Sequence, residues 1–260
     1  MVSQAPLIDT HCHLGFEAFD EDRSEVLQRA REAGLVGCVA VAVDAASAGV
    51  AAALAEAEPG FIHATAGIHP TEDCCGDPAE WDRVRALIRS GAFVAVGETG
   101  LDAFHDRIPM PTQIRSLEQH LELALETERP VILHCRDAFA PLTEVVQRFA
   151  GAGLRGVLHC FTGSLEELEP LVEAGLHVGF GGITTFKPRE DLRQAARRIP
   201  LERLLVETDA PWLAPMPHRG RRNEPAYVAD TARRIADERG LDLPTLAQAT
   251  TRNARDLFGL

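Results

Sequence analysis

Lysine is almost missing from this chain. Lys187 is the only one in 260 residues, so arginine carries nearly all the positive charge. A compositional bias accounts for that and by itself says nothing about phosphate binding. Cations are also outnumbered: 26 Lys and Arg face 39 Asp and Glu, a net charge of −13. A chain this acidic repels nucleic acid at long range, so a nucleic-acid substrate would require a local basic patch or metal ions. Cysteine is sparse and scattered. Of the six, at 12, 38, 74, 75, 135 and 160, only Cys74 and Cys75 are neighbours, and no CxxC spacing occurs. That excludes a disulfide framework and fits a reducing, cytoplasmic setting. Met1 to Pro6 offer neither a basic n-region nor an apolar h-region. No long apolar run is found either. The nearest, residues 34–55, is interrupted by Asp44 and built largely of weakly hydrophobic Ala and Gly. A strand over 37–43, Asp44 as a cap and an Ala-rich helix account for it, so no membrane span is expected.

What is present is ordinary globular material, 45% hydrophobic and 25% charged. Short runs of Val, Ile, Leu and Ala alternate with helix-like segments along the whole length. After a first strand near Leu7 to Leu14, further strands are expected at 37–43, 61–67, 93–97, 131–134, 156–159, 177–181 and 204–207. Helices are expected at 24–33, 45–58, 78–90, 112–127, 138–149, 165–174, 189–198, 225–239 and 244–257. Asp77-Pro78 marks one helix start, and Pro59-Gly60 stops another. The strand runs lack strict polar alternation, which suits strands buried on both faces. Eight βα units in this length predict one domain over residues 1–260: a closed (β/α)8 barrel with one extra C-terminal helix. An open doubly wound sheet is the alternative, but its Gly-rich turn does not follow the first strand, where the chain reads His11-Cys12-His13-Leu14.

In such a barrel the chemistry lies at the C-terminal strand ends. Those ends carry His11 and His13, then His69, Glu98 and Asp102, His134, His159, and finally Glu207 and Asp209. On a strand, residues two apart share a face, so His11 and His13 point the same way and can grip one ion. Any one of these residues could be a satisfied core histidine or a cap. So many imidazoles and carboxylates at one rim instead point to a metal centre without thiolate ligands, suited to Zn²⁺, Mn²⁺ or Mg²⁺.

The same residues carry a resemblance. Segments 9–14 (Asp-Thr-His-Cys-His-Leu), 67–70 (Gly-Ile-His-Pro), 97–102 (Gly-Glu-Thr-Gly-Leu-Asp), 134–138, 159–164, 207–212 (Glu-Thr-Asp-Ala-Pro-Trp) and 219–225 resemble, in order, those of the TatD family of metal-dependent hydrolases, within the amidohydrolase-like barrels. The resemblance implies two divalent ions: His11, His13 and Asp209 on one, His134 and His159 on the other, with Glu98 bridging. It also implies a hydrolase acting on ester bonds: a phosphodiesterase or deoxyribonuclease of the 3′-5′ exonuclease type, with DNA or another phosphodiester as substrate. An ester or amide hydrolase, such as a D-aminoacyl-tRNA deacylase, would use the same centre. An inactive metal-binding scaffold is the third possibility. The chain departs from the family at Gly15, where Asp is usual, and at Ala103-Phe104, where an aromatic pair is usual.

Two ions sharing a water lower its pKa. Asp209 or Glu207 would act as the base, with Glu98 holding both ions. Glu207 could also orient a ligand or contact the substrate, or equally be a buried carboxylate paired with arginine. His69, Arg136, Arg221 and Arg222 are candidate phosphate contacts; the alternatives are a structural turn histidine at 69 and arginines that pin loops through ion pairs. Asp102 is expected to brace its loop. Cys12, Cys135 and Cys160, each beside a ligand, are expected to face away into the core.

Overall fold

A computed structural model describes residues 6–260; residues 1–5, most of the N-terminal stretch in which no basic n-region or apolar h-region is expected, lie outside the described residues. Eight strands, β1 (Leu7–Cys12), β2 (Leu35–Ala40), β3 (Ile62–Ala66), β4 (Ala95–Asp102), β5 (Val131–Arg136), β6 (Gly156–Leu158), β7 (His177–Phe180) and β8 (Leu204–Val206), pair in parallel in sequence order. Helices follow them: α1 (Arg23–Glu32), α2 (Ala45–Ala57), α3 (Pro78–Arg89), α4 (Met110–Glu126), α5 (Phe139–Ala150), α6 (Leu165–Glu173), α7 (Glu190–Arg198), α8 (Val228–Arg239) and the extra α9 (Leu243–Phe258). The expected (β/α)8 barrel is therefore the fold. The run over 34–55 resolves as β2 and α2, with Asp44 accepting the Ser47 N–H at 2.7 Å in a capping box. Among the described residues no helix is long and apolar enough to cross a membrane.

Closure between β8 and β1 is made where the metal-ligand candidates lie. Asp209 N–H donates to His11 O at 2.9 Å, and His13 N–H donates to Ala210 O at 2.8 Å. Below these, the Asp9 carboxylate accepts the Thr208 N–H at 2.9 Å and the Thr208 hydroxyl at 2.6 Å. Asp9 is wholly buried, and burial pushes its carboxyl up to about 8 despite the hydrogen bonds it accepts. The seam thus fixes the first and last strands in register, and with them the ligands at their ends.

The lower interior is apolar: Ile8, Val39, Ala95, Ile132, Val157 and Leu205 pack with Leu257 and Phe258 of α9. Each of the Val, Ile, Leu and Phe side chains among them contributes about 1.5–3 kcal/mol on burial. Asn253 docks α9 by donating to Leu201 O at 2.7 Å and Leu204 O at 2.9 Å. Cys12 and Cys135 pack in the outer core between sheet and helices, as their alternation with the histidines requires, and all six cysteines are free thiols.

Two boundaries differ from expectation in ways that matter. The strand expected to stop at 97 runs on to Asp102, because Gly100 lets β4 lie close against β5. Gly100 has φ 146°, and a Cβ there would come within 2.0 Å of His134 O. The helix expected from 225 begins as a 3-10 turn, Pro225–Tyr227, before α8.

His120 on α4 is wholly buried and structural. Its Nε2 accepts the Ile68 N–H at 3.1 Å, and its Nδ1–H donates to Ser116 O at 2.6 Å, tying the loop after β3 to α4. Burial lowers its pKa to about 4, against 6.5 for the free side chain. A folded-state pKa below the unfolded one gives stability that is full above pH 6.5 and is lost as the pH falls towards 4. The contribution is about 3 kcal/mol. With chelator present, urea denaturation of the wild type should therefore weaken between pH 7 and pH 4.5 more steeply than that of His120→Gln. Equal slopes would show that His120 does not titrate on unfolding.

Candidate metal centre

The strand ends deliver two converging clusters of donor atoms, and Glu98 belongs to both. On one side His11 Nε2 lies 3.4 Å and His13 Nε2 3.8 Å from Glu98 Oε2, with Asp209 Oδ1 3.5 Å from His13 Nε2. On the other side Glu98 Oε1 lies 2.7 Å from His159 Nε2, 3.3 Å from His134 Nδ1 and 3.5 Å from His69 Nε2. The two carboxylate oxygens are thus divided between two groups of imidazoles.

These donors fit cations. His13 Nδ1–H donates to Val41 O at 3.1 Å, leaving Nε2 as the lone-pair nitrogen of the neutral ring. That nitrogen faces His11 Nε2 at 3.2 Å, with carboxylate oxygens of Glu98 and Asp209 beside both. So many buried acceptors facing one another repel unless a cation lies among them. Burial lowers the pKa of His11, which keeps it neutral, as a ligand must be. Burial alone would raise Glu98, but His159, His69 and His11 outweigh it and hold the carboxyl well below its usual range. Burial alone would lower His159, but Glu98 and Glu207 outweigh it and raise it well above its usual value. A metal entering this cluster must displace that proton, so affinity weakens as the pH falls.

Behind the inner ring stands an outer one. Asp102 Oδ2 accepts from His134 Nε2 at 3.0 Å, which turns Nδ1 towards Glu98. Asp102 also accepts the Phe104 and His105 N–H groups at 2.9 and 2.7 Å, so it braces the loop as expected and orients His134 as well. Burial opposes its ionisation, but the hydrogen bonds from His134 and His105 hold its pKa below the usual value. Glu207 is buried on the far side of His159: Oε1 accepts the Cys160 N–H at 2.5 Å and lies 3.5 Å from His159 Nδ1. No arginine pairs with it among the described residues. Gly179 makes room for it, since a Cβ there would come within 2.1 Å of Oε2.

Of the four candidate substrate contacts, His69 reaches the cluster itself. Its Nδ1 accepts the Thr71 N–H at 3.2 Å, so in the neutral ring Nε2 carries the hydrogen and faces Glu98 as a donor. Burial lowers its pKa to about 3. Arg136 is exposed, its guanidinium 3.6 Å from the centroid of the Phe104 ring. Arg221 is exposed. Arg222 is engaged elsewhere: both its terminal nitrogens bond Asp22, at 2.8 and 2.6 Å, and one also donates to Ala18 O. Loop pinning is what its geometry records. Asp9 was legible as a seam residue only through its spacing, two before His11 and four before His13, which puts all three on one strand face.

The family described as TatD related DNase matches residues 8–259. The metal-dependent hydrolase YcfH of Escherichia coli strain K12 is 37% identical over 267 aligned positions, covering 97% of this chain and 95% of that protein. The 3′-5′ ssDNA/RNA exonuclease TatD of Pectobacterium parmentieri is 37% identical, covering 98% of this chain and all of that protein. Among solved structures, the TatD homologue YjjV of Escherichia coli superposes with a TM-score of 0.93 at 32% identity, covering both chains in full. In sequence and in overall fold, the chain belongs to the TatD-related DNase family.

Proposed function

We propose that this chain is a two-metal phosphodiesterase that removes nucleotides from the 3′ end of single-stranded DNA or RNA. The observation that carries the reading is the division of Glu98: one oxygen faces His11 and His13, the other His134 and His159. Its counterpart among relatives is the exonuclease TatD of Pectobacterium, similar over nearly the whole chain. His11, His13 and Asp209 would hold one divalent ion, His134 and His159 the other, and Glu98 would touch both. Two such ions supply an acidified water and neutralise charge on the phosphoryl oxygens.

The chain's own groups do the rest. Asp209 is the carboxylate at the mouth, its side chain 13% exposed, whereas the Glu207 side chain is fully buried behind His159. Asp209 therefore takes the proton of the attacking water, and Glu207 positions His159. The water oxygen bonds to phosphorus as the P–O3′ bond breaks, and the proton held by Asp209 passes to the departing O3′, leaving a 5′-mononucleotide and a new 3′-hydroxyl. His69 Nε2–H donates to a non-bridging oxygen, and Arg136 faces the strand from its stack on Phe104.

A substrate panel tests this: single-stranded oligonucleotide, D-aminoacyl-tRNA and a simple phosphodiester, each with Mg²⁺, Mn²⁺ or Zn²⁺. Mononucleotide release from the 3′ end is expected. Ester cleavage that leaves the nucleic acid intact would instead make the protein a deacylase. No turnover with any combination would leave a metal-binding scaffold.

A further inference from the structure

The loop after β8 carries ligand Asp209, then Trp212, Leu213, Met216 and Arg219. Trp212 stands against the metal centre, its ring 5.1 Å from that of His13 and edge-on to Phe16 at 5.6 Å. Nearly half of it, 48%, is open to solvent, as is 49% of Met216. The loop after β7 runs alongside through a 3-10 turn, Gly182–Thr185, to Lys187. Met216 N–H donates to Thr185 Oγ1 at 2.8 Å, joining the two loops.

Between them lies a cavity of about 350 Å³, lined by Thr185, Lys187, Arg193, Met216, Arg219 and Arg234. Four cations around one cavity are unusual in a chain of net charge −13. Two are already neutralised. Arg193 bonds Glu190 and the carbonyls of Thr184, Phe186 and Lys187, and Arg234 pairs with Glu238. The other nearby carboxylates are engaged too, Asp191 by Arg189 and Asp230 by Arg233 and His218. Lys187, the chain's one lysine, and Arg219 are exposed, and neither has an ion-pair partner among the described residues. Arg219 is held in place by the Phe186 ring, 4.6 Å from its guanidinium carbon.

From these features we infer that the two loops form a track for the nucleotides on the 5′ side of the scissile bond. An unpaired base stacks on Trp212, and the following backbone phosphates cross the cavity against Lys187 and Arg219. The direction of the strand rests on the exonuclease reading of the centre. An aromatic platform followed by free cations is how single strands are held without sequence preference. Unpaired bases offer their faces to Trp212, whereas a duplex keeps them stacked.

The test is a binding titration with the metal-loaded protein. The probe is a fluorescein-labelled oligothymidylate of roughly fifteen nucleotides, a length in the range single-strand sites occupy, protected at its 3′ end by phosphorothioate linkages. The Lys187→Ala/Arg219→Ala variant should bind at least about tenfold more weakly at low salt. Its slope of log affinity on log salt should shrink by about 1.4, roughly 0.7 for each lost single-strand phosphate contact. Arg155→Ala/Arg252→Ala removes the same charge from exposed positions away from these loops, and should leave the slope unchanged. Trp212→Ala should weaken binding about tenfold. Binding should quench tryptophan emission in the wild type but not in Trp212→Phe, where Trp81 is the remaining tryptophan. A wild type that fails to bind the probe overturns the track, as does a slope equal to wild type in the Lys187/Arg219 variant. The binding slope decides the track whether or not nucleotides are released; release of mononucleotides from an unprotected oligonucleotide decides the exonuclease reading separately.

Discussion

Glu98→Ala is expected to lose bound metal and activity together. Both oxygens of this carboxylate are committed, Oε2 to the His11 and His13 side and Oε1 to the His159, His134 and His69 side. Alanine removes the one group common to both clusters and leaves imidazoles with nothing to hold two cations close together. Two-ion assistance contributes several kcal/mol of charge stabilisation and an ionised nucleophile near neutral pH. At 1.36 kcal/mol per decade, its loss lowers kcat by roughly 10³-fold or more. Elemental analysis of the dialysed protein, alongside initial rates, checks both halves. Full metal occupancy in Glu98→Ala would show that Glu98 does not bridge. Glu98→Gln separates charge from shape: it keeps one carbonyl oxygen and should retain at most the ion on that side.

That His11, His13, Glu98, His134, His159 and Asp209 converge is legible in the sequence, because a parallel barrel gathers its strand ends and each of these residues lies at one. Less legible was everything that depends on which way a ring or carboxylate turns. Asp102 sits in Gly100-Leu101-Asp102, which reads as a loop on local propensity; pairing of Gly100 with His134 and Asp102 with Arg136 makes it strand, and so puts its carboxylate against His134. Glu207 was left open between base, orienting group and arginine partner; only the packing around Gly179 and the Cys160 N–H locates it behind His159. Arg222 and Asp22 lie 200 positions apart, a pairing that no local pattern encodes. The departures at Ala103 and Phe104 gain a meaning only in three dimensions, where Phe104 supports the Arg136 guanidinium at the rim.

The base assignment leads to the other large effect, in Asp209→Asn. Asp209 has φ 58°, in the left-handed region, and its backbone is fixed there by Asp209 N–H to His11 O and Trp212 N–H to Asp209 O, both 2.9 Å. Asparagine tolerates that conformation, so the substitution leaves the closing seam intact, whereas a bulky or β-branched residue would strain it. The amide also keeps an oxygen to face His13, so metal on that side should largely remain. What it cannot do is accept a proton. Loss of a general base typically costs 10²- to 10⁴-fold, and that fall should appear in kcat with KM little changed. Burial opposes ionisation of Asp209, but His13, His159 and His11 outweigh it and hold the pKa below the usual carboxylate value. With metal kept saturating at every pH, the wild type should therefore lose rate as the pH falls into that acid range, and Asp209→Asn should lack this limb. Glu207→Gln is the counter-test. It keeps an oxygen for the Cys160 N–H and should alter metal affinity on the His159 side, by roughly 10- to 100-fold for an orienting partner, more than the chemical step. If Glu207→Gln removes the acid limb and Asp209→Asn leaves it in place, the proton goes to Glu207 instead.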